Sequence, residues 1–187
     1  IGSSVVDSYV TAPDILASVH AHKSAIVLGV ILMALVHTLT NVGLSVIMLP
    51  FVKPFNKTLA YGYFGGALGA TVLLAVGAIS LLLLVPLSDL YAEAASPAPG
   101  YLSTLAVLLR AGNSYAYQVG MAIWGLGGLA LCWVLLRSKL VPRVFSIWGL
   151  VSYAIFIIGT ILELYGLPYG LYFSIPGMFF EIPVSIW

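Results

Sequence analysis

Charge is scarce in this chain. Of its 187 residues only 7% are charged, 7 Lys and Arg against 6 Asp and Glu, for a net charge of +1. A soluble domain carries about 25% charged and about 45–50% apolar residues. Here 61% are hydrophobic, and so few charges cannot cover a water-facing surface of this size. There is no basic patch to neutralise phosphates, so nucleic acid is excluded as a partner. The apolar excess also excludes disorder, collagen and coiled coil. Cysteine is nearly absent: Cys132 stands alone, so no internal disulfide and no cysteine-based metal cage can form.

Other chemistries fall for want of residues. No lysine lies mid-span to form a retinal Schiff base. A bis-histidine haem inside the bilayer needs two deep histidines, and only His37 qualifies. No His-Glu-x-x-His pair, no Gly-rich phosphate loop ahead of Lys and Ser/Thr, and no Gly-x-Ser-x-Gly elbow occurs. The aspartates near the apolar runs fall in loops, which argues against a paired-Asp intramembrane protease. No metal site and no cofactor is identified, and no catalytic residue is assigned.

What the chain does have is long apolar runs. A hydrocarbon core of about 30 Å takes about 20 apolar helical residues to cross. Five runs meet that need: about Ser24–Leu49, Thr58–Val85, Tyr115–Leu136, Val144–Leu162, and one that starts near Leu171 and is still apolar at Trp187. They are too long and too unbroken for strands. Proline and glycine mark the connectors, at Pro50–Lys57, Ser96–Gly100, Leu140–Arg143 and Tyr165–Gly170, because both residues break helices and favour turns. The expected fold is an all-α polytopic transmembrane bundle forming one domain over 1–187.

Two helices are expected to project past the hydrocarbon. Thr11-Ala12-Pro13-Asp14 offers a capping Thr, an early Pro and an acid at the third position. A helix starting there and reaching Leu49 is about 55 Å long, with His20, His22 and Lys23 outside the core. Ser103–Gln118 reads as an amphipathic lead-in to the third span. The four Trp, 124, 133, 148 and 187, read as interface belts and packing.

The cations are unevenly placed. Lys53 and Lys57 follow the first span, and Arg137, Lys139 and Arg143 follow the third. These are five of the seven basic residues. The positive-inside rule then places 50–57 and 137–143 in the cytoplasm of a cell with an inner membrane. Five of the six acids, Asp7, Asp14, Asp89, Glu93 and Glu163, fall opposite. The segment before the first span is then outside, so one further helix is expected before Ile1, for six spans in all. Asn56-Lys57-Thr58 matches a glycosylation triplet, but on a loop expected to be cytoplasmic.

Small residues are the expected packing surface, because close contact rather than burial holds helices together in lipid. Gly62-x-x-x-Gly66-x-x-x-Ala70 and Gly65-x-x-x-Gly69 run along the second span, and Gly120, Gly125, Gly127 and Gly128 along the third. Polar groups at bilayer depth are expensive and suggest function. His37 and Asn41 share one helix face at i,i+4, flanked by Thr38 and Thr40. Glu181 lies about 15 Å into the last run, between Pro176 and Pro183, which should kink that helix and leave carbonyls seeking partners. A His37/Asn41/Glu181 ligand or proton site is the sharpest functional expectation. Plain hydrogen bonding between helices is the competing one.

Three stretches resemble a bacterial membrane family, the domain of unknown function forty-three eighty-six. They are Leu136-Arg137-Ser138-Lys139-Leu140-Val141-Pro142-Arg143 with Trp148-Gly149, Leu49-Pro50 through Asn56-Lys57-Thr58-Leu59-Ala60, and Glu181 with Ile186-Trp187. The resemblance covers most of the chain. It implies six spans, the first preceding Ile1, and it brings no established activity. Members often carry an Arg and a Glu in the helix corresponding to the second span, where this chain has the small, uncharged Gly65–Thr71.

Three functions stay open at this point. The first is a non-enzymatic module that binds a hydrophobic small molecule or lipid, or an accessory subunit of a larger membrane complex. The second is a small proton-coupled transporter using the His/Asn/Glu cluster. The third is an enzyme acting on lipid or quinone. The expected partners are membrane lipids, other membrane subunits or a second copy.

Overall fold

The computed structural model describes residues 2–94, 100–167 and 169–186, with side chains described for all of these except 2–5, 171 and 181–186. Helices account for nearly all of it: α1 (Gly2–Val10), α2 (Ile15–Ala21), α3 (Lys23–Val52), α4 (Lys57–Leu82), α5 (Leu84–Glu93), α6 (Gly100–Ser138), α7 (Arg143–Leu164) and α8 (Gly170–Ile186). No strand occurs among the described residues. Four helical stretches are long and apolar enough to cross a membrane: Lys23–Val52, Lys57–Glu93, Gly100–Ser138 and Arg143–Leu164. The protein is an all-α membrane protein. The run expected as a fifth span is α8, whose 17 residues rise about 26 Å, near the short end of what a bilayer core requires.

The long helices begin and end close to where turn chemistry placed them. Asn56 accepts a hydrogen bond from the Leu59 N–H at 3.0 Å, which makes it the N-cap of α4. The glycosylation-like triplet is thus a helix start. Pro86 explains the division of α4 from α5 at Leu83, because it has no N–H to offer the Leu82 carbonyl and its ring crowds that oxygen. The lead-in at Ser103–Gln118 is continuous with the third span, all within the 39 residues of α6.

The N-terminal expectation needs correcting. Thr11 does not cap the next helix. Its hydroxyl donates to the Asp7 carbonyl at 2.6 Å and closes α1. The cap of α2 is Asp14, extended at φ −112°, ψ 95°, with its carboxylate accepting from the Ala17 N–H at 3.0 Å. Nor does one helix run on to Leu49. It breaks at His22, at φ −127°, ψ 30°, where the imidazole stacks on Tyr9 of α1 at 4.3 Å and bonds the Ser18 carbonyl at 3.0 Å. The Tyr9 stack and the Ser18 carbonyl both engage the His22 ring at the break.

The chain forms two compact units, one of residues 1–38 and 74–117, the other of residues 39–73 and 118–187. The first has its own apolar core. Val6 and Val10 of α1, Leu16 and Val19 of α2, and Ile26 and Val30 of α3 pack with Leu84 and Leu87 of α5 and with Leu102 and Ala106 of α6.

The second unit is built on small residues. On α4, Gly66 lies against Gly127 of α6: a methyl added to Gly66 would be 2.9 Å from the Gly127 Cα. One turn further, Gly120 of α6 faces Ala70 and Leu73. Helices α7 and α8 pair in antiparallel order, with Gly149 against Phe180, Ser152 against Pro176, Gly159 against Phe173 and Glu163 against Gly170. The buried face of α7 is Ser146, Gly149, Ser152, Tyr153, Gly159 and Thr160. Every one is small or hydroxyl-bearing, as helix contact in lipid requires.

Candidate functional site

The residues singled out for an intramembrane site sit as follows. His37 is half-buried on α3, and its Nδ1 lies 2.9 Å from the Met33 carbonyl one turn back. Asn41 is half-buried one turn further on. Thr38 donates its hydroxyl to the Ala34 carbonyl at 2.8 Å. Glu181 lies on α8 with its side chain outside the described residues. His37 belongs to the first compact unit, and Asn41 and Glu181 to the second. Among the described residues no three of His, Cys, Asp and Glu are grouped to hold a metal ion.

Of the four expected packing glycines, two meet another helix. Gly66 meets Gly127, and a methyl on Gly69 would be 3.3 Å from Ile123. Gly62 and Gly65 are exposed and have nothing within 4 Å of where a Cβ would stand. By spacing Gly62 shares the face of Gly66 and Gly69, so these glycines differ in their position along α4 and not only in the side they occupy.

An aromatic and sulfur cluster fills the second unit beside α7. Trp124 packs edge-on to Tyr153 at 5.3 Å and to Phe156 at 5.9 Å, and Tyr153 packs edge-on to Phe180 at 5.9 Å. Cys132, fully buried, joins them. Gly128 admits the Tyr153 ring, and a Cβ on Gly149 would come within 2.5 Å of both the Cys132 Sγ and the Phe180 ring. The Ser152 hydroxyl donates to the Pro176 carbonyl at 3.1 Å, so the proline-bearing stretch of α8 is tied to α7. Among the described residues the buried Ser146 hydroxyl has no hydrogen-bond partner.

Two polar groupings escaped sequence reasoning because their members are far apart in the chain. In the first unit, Asp89 of α5 takes an ion pair from Lys23 and lies 3.2 Å from the His20 Nδ1. The Tyr91 hydroxyl donates to Asp14 at 3.0 Å. That bond joins the cap of α2 to α5, beside a crevice of about 250 Å³ lined by Pro13, Asp14, Leu16, Tyr91, Ser103 and Val107. The separations are 66 residues for Lys23–Asp89 and 77 for Asp14–Tyr91. No spacing rule links positions so distant.

Apart from Arg110, within α6, the basic residues sit at or beside helix ends. Lys53 lies over the Tyr61 ring at 5.4 Å, and the Arg137 guanidinium over Trp133 at 5.2 Å. Both are cation–π contacts by distance. Between α6 and α7, residues Lys139–Arg143 line a shallow crevice of about 400 Å³.

The model of one family, Domain of unknown function (DUF4386), matches residues 1–187, the whole chain. The chain belongs to this family. The DUF4386 match agrees with the three stretches quoted for it from the sequence, and the family's function is unknown. No curated protein and no solved structure matches the chain.

Proposed function

We propose that this DUF4386 protein is a non-enzymatic membrane module that binds lipid or another hydrophobic molecule on its exposed helix faces. One observation carries the reading. In the most apolar 18-residue stretch of α3 only 17% of residues are buried, against 44% for α6. Leu28 and Leu39 are 68% and 72% exposed, an area that only hydrocarbon or another apolar surface can cover at low cost. Several polar side chains near that surface are engaged within their own helices, as at His37 and Thr38. In this reading the 50–57 and 137–143 segments face the cytoplasm, where the cations belong.

Quenching by brominated lipids in proteoliposomes tests it. Tryptophans introduced singly at Leu28 and Leu39, in a chain whose own tryptophans are replaced by Phe, should be quenched strongly by acyl-chain bromines. Absence of quenching at both would remove the reading. Proton-coupled uptake abolished by His37→Ala and by Glu181→Gln would replace it with transport.

A second reading, an accessory subunit docked on another membrane chain or on a second copy, is favoured by Gly62 and Gly65. Small residues facing open space let a partner backbone approach closely. Gly62→Leu with Gly65→Leu should then abolish co-purification or self-crosslinking while leaving the chain folded.

A further inference from the structure

The turn between α6 and α7 combines three features that fit one class of ligand. The first is charge. Lys139 and Arg143 line the crevice of about 400 Å³ together with Leu140, Val141 and Pro142. Arg137 is the penultimate residue of α6, with Trp133, one turn back, beneath its guanidinium at 5.2 Å. No acid lies between Trp133 and Val151 in the sequence.

The second feature is a shaped backbone. Lys139 is the only non-glycine residue with positive φ among those described, at 59°, a conformation uncommon away from glycine and asparagine. The turn it makes is held by the Lys139 N–H on the Leu135 carbonyl at 3.2 Å and by the Leu140 N–H on the Ser138 hydroxyl at 3.4 Å. Helix α7 then starts from Pro142 with no capping side chain. The Phe145 N–H donates to the Pro142 carbonyl at 3.0 Å, so the N–H groups that such a helix start offers an anion are those of Arg143 and Val144.

The third is an apolar ridge leading away from the crevice. Val144, Ile147, Trp148 and Val151 are all exposed, Val144 at 72%. Their spacing of three and four puts them on one face of α7. A free phosphate would use the cations and leave this ridge bare. A phospholipid uses both, with its phosphate among Arg137, Lys139 and Arg143 and an acyl chain along the ridge.

We propose that the Arg137–Arg143 turn is a binding site for the phosphate headgroup of an anionic phospholipid. It deepens the lipid-binding function proposed above and rests on it. Three positive charges within seven residues of the chain favour a headgroup with net negative charge over a zwitterionic one, since the latter carries its own cation into the site.

Native mass spectrometry of the full chain with phosphatidylglycerol and phosphatidylcholine tests this. Phosphatidylglycerol should be retained more strongly. Retention should fall about fivefold for each cation removed in Arg137→Gln, Lys139→Gln and Arg143→Gln, with phosphatidylcholine unaffected. Lys139→Arg with Arg143→Lys should keep it, and Lys53→Gln with Lys57→Gln on the other loop should leave it unchanged. Val144→Ser with Ile147→Ser should weaken both lipids.

Equal retention of the two lipids, insensitive to the three Gln variants, would overturn this site and leave the lipid-binding function standing. Retention of neither lipid would overturn both. Inorganic phosphate that protects against thermal unfolding as well as phosphatidylglycerol does would overturn the lipid assignment in favour of a free anion.

Discussion

Gly66 of α4 and Gly127 of α6 meet backbone to backbone, and a methyl on Gly66 would be 2.9 Å from the Gly127 Cα. Real Cβ atoms essentially never come that close, so any side chain at Gly66 forces the helices apart. Gly66→Leu should therefore destabilise the second unit, by about 1–3 kcal/mol or more, measured as unfolding by SDS titration in mixed micelles. Gly62→Ala and Gly65→Ala, where an added methyl meets nothing within 4 Å, should leave the midpoint unchanged or raise it slightly, since alanine is the better helix former.

Two serines on α7 should behave oppositely. Ser152 bonds the Pro176 carbonyl, so Ser152→Ala should lower stability, by roughly 0.6 kcal/mol, the average for such bonds in a membrane. The buried Ser146 hydroxyl has no partner among the described residues, and a buried hydroxyl without one costs free energy. Ser146→Ala should be neutral or stabilising. Thermal unfolding followed by circular dichroism in one detergent would separate them, and equal losses for both would contradict the hydrogen-bond assignment.

Gly149 faces Cys132 and Phe180 with no room for a methyl. Gly149→Ala should be destabilising, by about 1–3 kcal/mol. Shortening the opposing side chain with Cys132→Gly should restore part of the loss in the double variant, because the two positions share one contact. Full additivity would mean that the two side chains do not meet.

The Lys23–Asp89 pair is partly exposed, with side chains 35% and 44% accessible. Exposed pairs contribute little and are screened by salt. Lys23→Gln should lower the melting temperature slightly at low ionic strength and not at all at high ionic strength. A large, salt-independent loss would mean that Lys23 has a structural role beyond this pair.

Cysteine labelling tests the proposed sidedness. Cys132 is buried, so single cysteines can be read against it. Cysteines at Phe55 and Leu140 should react from the same side in oriented vesicles, and one at Glu93 from the other. Reaction of the first two from opposite sides would break the topology drawn from the cations.

Much of the architecture follows from local sequence. The run expected at Val144–Leu162 is α7 at Arg143–Leu164, and the one expected at Thr58–Val85 becomes α4 with its break near Pro86. A bilayer leaves little choice for twenty apolar residues, since a helix alone satisfies their backbone groups within the segment. Turn residues and cations then mark the ends.

Which side of each helix faces which neighbour was not readable. Gly62, Gly65, Gly66 and Gly69 look alike in sequence, yet only Gly66 and Gly69 contact α6. A helix surrounded by hydrocarbon is apolar on every side, so no contrast between wet and dry faces encodes its rotation. That rotation, the break at His22 against Tyr9, the Ser152–Pro176 bond and the Lys23–Asp89 pair were decided by tertiary packing. Each depends on groups distant in the chain or on shape complementarity that no local pattern carries.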